Sequence, residues 1–137
     1  MVDTKIVDFI AKHHVLTLAT SDGEMVSACS LFYAYEPTLN SFVVASSEDT
    51  THIEHIMKNS KIAGNILLET KSVGKVQGLQ FRGEMVVCKK RALKDLYLKT
   101  FPYARAMMPK LWQIKMEWCK LTDNRLGFGK KLIWPQP

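Results

Sequence analysis

Seven consecutive residues, Ser46-Ser47-Glu48-Asp49-Thr50-Thr51-His52, carry hydroxyls, carboxylates and an imidazole. They follow the β-forming run Phe42-Val43-Val44-Ala45 and precede Ile53, Ile56 and Met57, which share one face of a helix expected over Glu48 to Asn59. A strand running into a helix presents free amides and the positive end of the helix dipole, so this junction suits a phosphate, with Thr51 and His52 as further donors. A plainer reading stands beside it: the residues cap the helix, with Thr51 and Glu54 as a capping box. Glu48 and Asp49 would repel an anion unless they point away. His52 and His55 share a helix face with Glu54 between them, but no third ligand follows at metal-site spacing.

Gln77 and Gln80 lie on a strand expected to be half buried, where an amide needs a partner. The carbonyl- and nitrogen-rich edge of a flavin ring is one such partner, and a neighbouring strand is another. Trp112 and Trp118 fall on the apolar stripe of a strand and read as core, whereas Trp134 is freer to act at an interface or cofactor. Gly127-Phe128-Gly129 lacks the third glycine and following helix of a dinucleotide fingerprint and reads as close packing or a bulge. No Gly-x-Ser-x-Gly nucleophile elbow and no paired carboxylates occur, which argues against a hydrolase. Cys29, Cys88 and Cys119 are odd in number and far apart, the pattern of buried or half-buried thiols and not of a disulfide framework or zinc site.

The elements that must position these residues are short. With 137 residues, 47% hydrophobic and 23% charged, one domain spanning 1–137 is expected, without a membrane span or secretory leader, and hence a cytoplasmic location. The net charge of +6, on lysines that read as scattered, invites an anion without choosing which. A helix is expected over residues 3 to 13. A hairpin follows from Val15 to Tyr35, with Ser-Asp-Gly-Glu at its turn. Further strands are expected over Ser41 to Ser46, Lys61 to Glu69, Val73 to Cys88, Lys110 to Leu121 and Leu126 to Trp134, with a helix over residues 91 to 100 and a short one from Pro102 through Met108. About seven strands with short inserted helices point to one antiparallel barrel and not to a parallel βαβ array.

The hairpin, the stretch Phe42-Val-Val-Ala-Ser with Thr50-Thr51-His52-Ile53, the block Val76-Gln-Gly-Leu-Gln-Phe-Arg-Gly83, and Asp123-Asn-Arg-Leu-Gly-Phe-Gly-Lys-Lys-Leu-Ile-Trp134 occur in an order and spacing that covers nearly the whole chain. In this arrangement the sequence resembles the FMN-binding split-barrel superfamily that includes pyridoxamine 5'-phosphate oxidase, and within it the YhbP-like proteins. The resemblance implies a mainly β fold, an antiparallel Greek-key split barrel with short flanking helices. It also implies a homodimer binding FMN in grooves between subunits. Ala28, Cys29, Ser30 and Leu31 would line the flavin with Ala45 and Ser46 beside it; Thr51 and His52 would grip the phosphate, and Gln77 or Gln80 would meet the ring or ribityl chain. Trp134 would be a further cofactor contact. Ala28 stands where the oxidases carry an arginine, and the C-terminal arginines that hold the pyridoxal substrate are missing, so oxidase activity on pyridoxamine phosphate is not expected.

These readings lead to an FMN-dependent oxidoreductase or flavin reductase-like protein acting on a small molecule, in which the cofactor carries hydride or electrons. A non-catalytic flavin or haem carrier with His13, His14 or His52 as ligands is the alternative. Single-stranded nucleic acid ranks last, because no exposed aromatic row is visible.

Overall fold

Asp3 caps helix α1 (Thr4–Lys12) by accepting the Lys5 N–H at 2.8 Å, and the helix buries Ile6, Phe9 and Ile10. The computed structural model describes all 137 residues. Strands β1 (Val15–Ser21) and β2 (Val26–Glu36) form a hairpin paired from Val15↔Phe32 to Ser21↔Val26, closed where the Asp22 carboxylate accepts the N–H groups of Glu24 and Met25. Strand β3 (Ser41–Ala45), helix α2 (Thr51–Lys58), strands β4 (Lys61–Leu68) and β5 (Gln77–Val87), helices α3 (Arg91–Thr100) and α4 (Ala104–Met107), and strands β6 (Leu111–Asp123) and β7 (Lys131–Trp134) complete the order.

Every strand pairing is antiparallel. Six strands close on themselves as β1-β2-β3-β6-β5-β4, with β3 and β6 joining the sheet's ends and β7 outside the ring on β6. Closure removes most free edges, and inward residues at every second position fill the interior. Leu16, Leu18, Phe42, Val44, Leu79, Phe81, Met85, Trp112 and Ile114 belong to a core of 20 buried residues, to which α1 and α2 add apolar residues of their own. A second cluster, including Ala34, Val43, Leu93, Tyr97 and Leu111, seats α3 on the outer face of β2, β3 and β6.

Several boundaries differ from the sequence expectations, each for a local reason. Helix α2 begins at Thr51, because Ser47 O accepts both the Thr50 N–H and the Thr50 hydroxyl and ties residues 47–50 into a turn. Thr50 is therefore the N-cap residue, and the Thr51–Glu54 capping box does not form. Residues Val73–Lys75 make a 3₁₀ turn ahead of β5. Asp123 accepts the Arg125 N–H and caps a similar turn over Asn124–Leu126, so β7 starts only at Lys131. Gly127 and Gly129 follow with φ of +135° and +74°; the Gly-x-Gly is a left-handed turn and not a packing contact or bulge.

Trp118 requires a further correction. The partners of Gly83 and Arg82 on β6 are Met116 and Trp118, which leaves Glu117 unpaired as a bulge. One extra residue reverses the alternation. Trp112, Ile114 and Met116 face inward before the bulge and Cys119, Leu121 and Asp123 after it, so Trp118 lies half-exposed outside, with the Arg82 guanidinium 4.1 Å from its ring centroid. The positive charge is likewise not scattered. Eight of the nineteen Lys and Arg residues but only one of the thirteen acids, Asp95, lie between positions 86 and 115. That stretch carries +7, and the rest of the chain −1.

Candidate functional site

Strand β2 pairs with β1 along its first half, but its pairing with β3 runs only from Tyr33 to Glu36. Tyr33 N–H donates to His14 O at 3.0 Å, which sets the phase of the β1–β2 ladder. By that phase the backbone N–H and C=O of Ala28 and Ser30 turn away from β1, toward the edge that β3 leaves open. Their side chains are small and exposed on the barrel's outer face. Cys29 and Leu31 alternate with them and pack against the core, so strand geometry places only two of these four side chains outside. Farther along the same outer face stands Phe32, 51% exposed, between His14 and Phe101 at ring-centroid distances of 6.3 and 5.8 Å.

The β3–α2 junction lies beside this edge. Ala45 ends β3 and Ser46 follows it, just past the last pair with β2, Tyr33↔Val44. The Ser46 backbone is held twice, by its N–H donating to Lys110 O at 3.0 Å and its C=O accepting from Trp112 Nε1 at 2.8 Å. The Ser46 hydroxyl is hydrogen-bonded to His52 Nε2, which also lies 3.3 Å from Thr50 Oγ1. At the first turn of α2 the N–H groups of Thr51, His52 and Ile53 have no protein partner. Three free amides with adjacent hydroxyls form a donor set suited to phosphate oxygens. Glu48, which would oppose an anion, instead pairs with Lys110 at 3.5 Å.

Burial, with His55 nearby, lowers the His52 pKa from its ordinary value. His52 therefore enters the junction as a neutral hydrogen-bonding group at neutral pH. His55 is buried and hydrogen-bonded to Thr20 Oγ1 at 2.9 Å, and His13 Nδ1 is bound to Phe9 O at 2.8 Å. No group of three or more His, Cys, Asp or Glu is placed so that it could hold a metal ion. His14 is the one histidine whose ring makes no hydrogen bond, a distinction that depends on the fold and that sequence spacing does not carry. The cysteines are unpaired, and burial raises the pKa of all three, that of Cys119 to about 12.

The remaining expected residues lie elsewhere. Strand β5 is three strands from β2 in either direction around the ring, so Gln77 and Gln80 sit on the opposite wall. Gln80 is exposed and not half-buried, between Asn65 and Lys120 on the flanking strands. Gln77 Oε1 accepts from Arg125 Nη2 at 3.2 Å, an arginine that also grips the buried Asp123 carboxylate. Trp134 is opposite Cys119 on β7 and is partly packed on the core. The fold thus brings Ala28, Ser30, Ala45, Ser46, Thr51 and His52 to one side of the barrel, and leaves Gln77, Gln80 and Trp134 apart from them.

Comparison with known proteins places the chain. A UPF0306 protein of Cronobacter sakazakii is 36% identical over 132 residues, covering 94% of this chain and 92% of the relative, and one of Serratia proteamaculans is 33% identical over 133 residues, covering 95% and 92%. The chain belongs to the UPF0306 family. No protein-family model matches it. Solved structures similar to this UPF0306 chain share the split barrel at low identity. A haem-binding protein from Mycobacterium smegmatis has a TM-score of 0.73 at 15% identity, covering 90% of this chain and 53% of that one. The haem storage protein HutZ of Vibrio cholerae has a TM-score of 0.71 at 13% identity, covering 85% and 90%. A NimC/NimA family protein from Clostridium acetobutylicum has a TM-score of 0.69 at 16% identity, covering 95% and 90%. In the UPF0306 chain no helix is long and apolar enough to cross a membrane.

Proposed function

We propose that this protein binds FMN against the open edge of β2 and serves as a flavin-dependent oxidoreductase for a small-molecule substrate. The observation that carries the reading is the pairing of two unsatisfied surfaces, the free backbone groups of Ala28 and Ser30 and the three free amides opening α2. The first matches the donor and acceptor edge of an isoalloxazine, and the second matches a phosphate. Ala28 and Ser30 leave room for a flat ring where larger side chains would obstruct it. Thr51, His52 and Ser46 supply neutral hydrogen bonds to the phosphate. When bound, flavin supplies the hydride or electron transfer, and the protein orients it and limits its contact with water.

Gln77, Gln80 and Trp134 enter this site only if a second copy presents its opposite wall, so the reading includes a homodimer with cofactor between subunits. FMN titrated into purified protein is expected to quench in flavin fluorescence, and riboflavin, which lacks the phosphate, to bind at least about tenfold more weakly. T51A/H52A, which removes the side-chain donors and keeps the free amides, should reduce that difference. Absence of FMN binding at millimolar ligand would overturn the flavin reading.

Haem is the second reading. His14 has a free imidazole stacked at 10° interplanar angle on Phe32, with Phe101 on the ring's other side, an arrangement in which His14 would supply an imidazole ligand to haem iron beside an aromatic wall. Two similar folds are described as haem proteins. A Soret band on haemin titration that H14A abolishes, together with no FMN binding, would favour haem over flavin.

A further inference from the structure

Besides the β2 edge, the molecule carries a cleft of about 420 Å³ between the end of β5, helices α3 and α4, and the start of β6. Its floor is apolar, formed by Val87, Leu98 and Leu111 among others, and its rim carries the exposed Met108 with Lys94, Arg105 and Lys110, with no carboxylate among the lining residues. Its volume lies within the range of small-molecule sites, roughly 300–1,000 Å³.

The cleft follows from local sequence. Lys94 and Leu98 are four residues apart and share a face of α3, so one turn supplies a cation and the next an apolar surface. Helix α4 ends at Met107, and the left-handed backbone of Met108 (φ +46°) turns the chain into Pro109 and toward β6. Lys94 and Arg105 have no carboxylate within ion-pair distance, while Lys110 is shared with Glu48. The cleft also lies within the stretch that carries +7 of charge. Two unpaired cations above an apolar floor form an uncompensated field that a matching anion would satisfy.

We infer that this cleft binds a small organic anion with an apolar body, such as an aryl or medium-chain carboxylate or sulfonate. The charge selects the anionic head, and the floor selects the apolar body. Nucleic acid fits less well, because the apolar part is a recess and not a row of exposed aromatic rings. The inference does not depend on which cofactor, if any, occupies the β2 edge, and its test uses none.

The probe is naphthalene-2-sulfonate, titrated into the purified full chain and followed by two-dimensional amide NMR. Shifts confined to residues 87–111 are expected, with the uncharged 2-methylnaphthalene binding about tenfold or more weakly. K94Q/R105Q should weaken the sulfonate about tenfold or more, while K130Q/K131Q, on the opposite end of the chain's basic residues, leaves it unchanged. Melting temperatures of both variants within a few degrees of the parent would show that the fold is retained. Equal affinity for the uncharged analogue, equal loss in K130Q/K131Q, or displacement of the probe by a short oligonucleotide binding more tightly than the sulfonate would each overturn the proposal.

Discussion

At the scale of residues, the chemistry of the candidate site depends on a histidine kept neutral. Burial and the proximity of His55 lower the His52 pKa below its ordinary value of 6.5. Between those two values the unfolded chain binds more protons than the fold, so stability rises with pH there. The stabilisation is complete above about pH 6.5 and is lost as pH falls through the lowered value. Urea midpoints measured from pH 7.5 down to pH 5 should therefore fall more steeply for the parent than for H52N. An equal slope in both would show that this imidazole does not carry the effect. A bound phosphate would favour the protonated ring, so FMN affinity should also increase toward pH 6 in the parent and not in H52N.

At the scale of elements, the bulge on β6 governs which aromatic rings support the barrel. Trp112 is 2% exposed in the core and holds Ser46 O, whereas Trp118 lies outside against Arg82. W112A should cost about 3–5 kcal/mol in chemical denaturation, the usual range for truncating a buried aromatic. W118A should cost no more than about 1 kcal/mol, as a half-exposed ring with one cation–π partner. Comparable losses in the two variants would contradict the reversed alternation. Gly83 sits at the same bulge, where a Cβ would collide with the Lys115 carbonyl of β6. That neighbour is ladder backbone and has little room to move, so G83A should destabilise by at least about 1–3 kcal/mol, read as a lowered urea midpoint.

At the scale of the whole molecule, the barrel distributes the expected cofactor residues over opposite walls, which the proposed homodimer would reunite. Sedimentation equilibrium should therefore give twice the 15.6 kDa chain mass, and a persistent monomer at tens of micromolar would separate Gln80 and Trp134 from the β2 site. Much of the barrel was legible from the sequence, because its strands alternate clearly and short turn residues separate them. The apolar face of β5, from Leu79 through Met85, lies inside as its pattern indicates, and α1 buries the residues that its spacing selects. The junction of β3 with α2 was legible for the same reason, since hydroxyls and an imidazole between two periodicities mark a chain reversal with free amides. The reversal of β6 at Glu117 was not legible, because a bulge is set by how two strands meet and leaves no mark in the periodicity of one. Nor could spacing reveal the open edge of β2, the separation of Gln80 from Ser30, or the cleft that gathers Lys94 and Arg105. Local alternation and capping are properties of consecutive residues. Which edge stays unpaired and which walls face each other are decided only when the ring of strands closes.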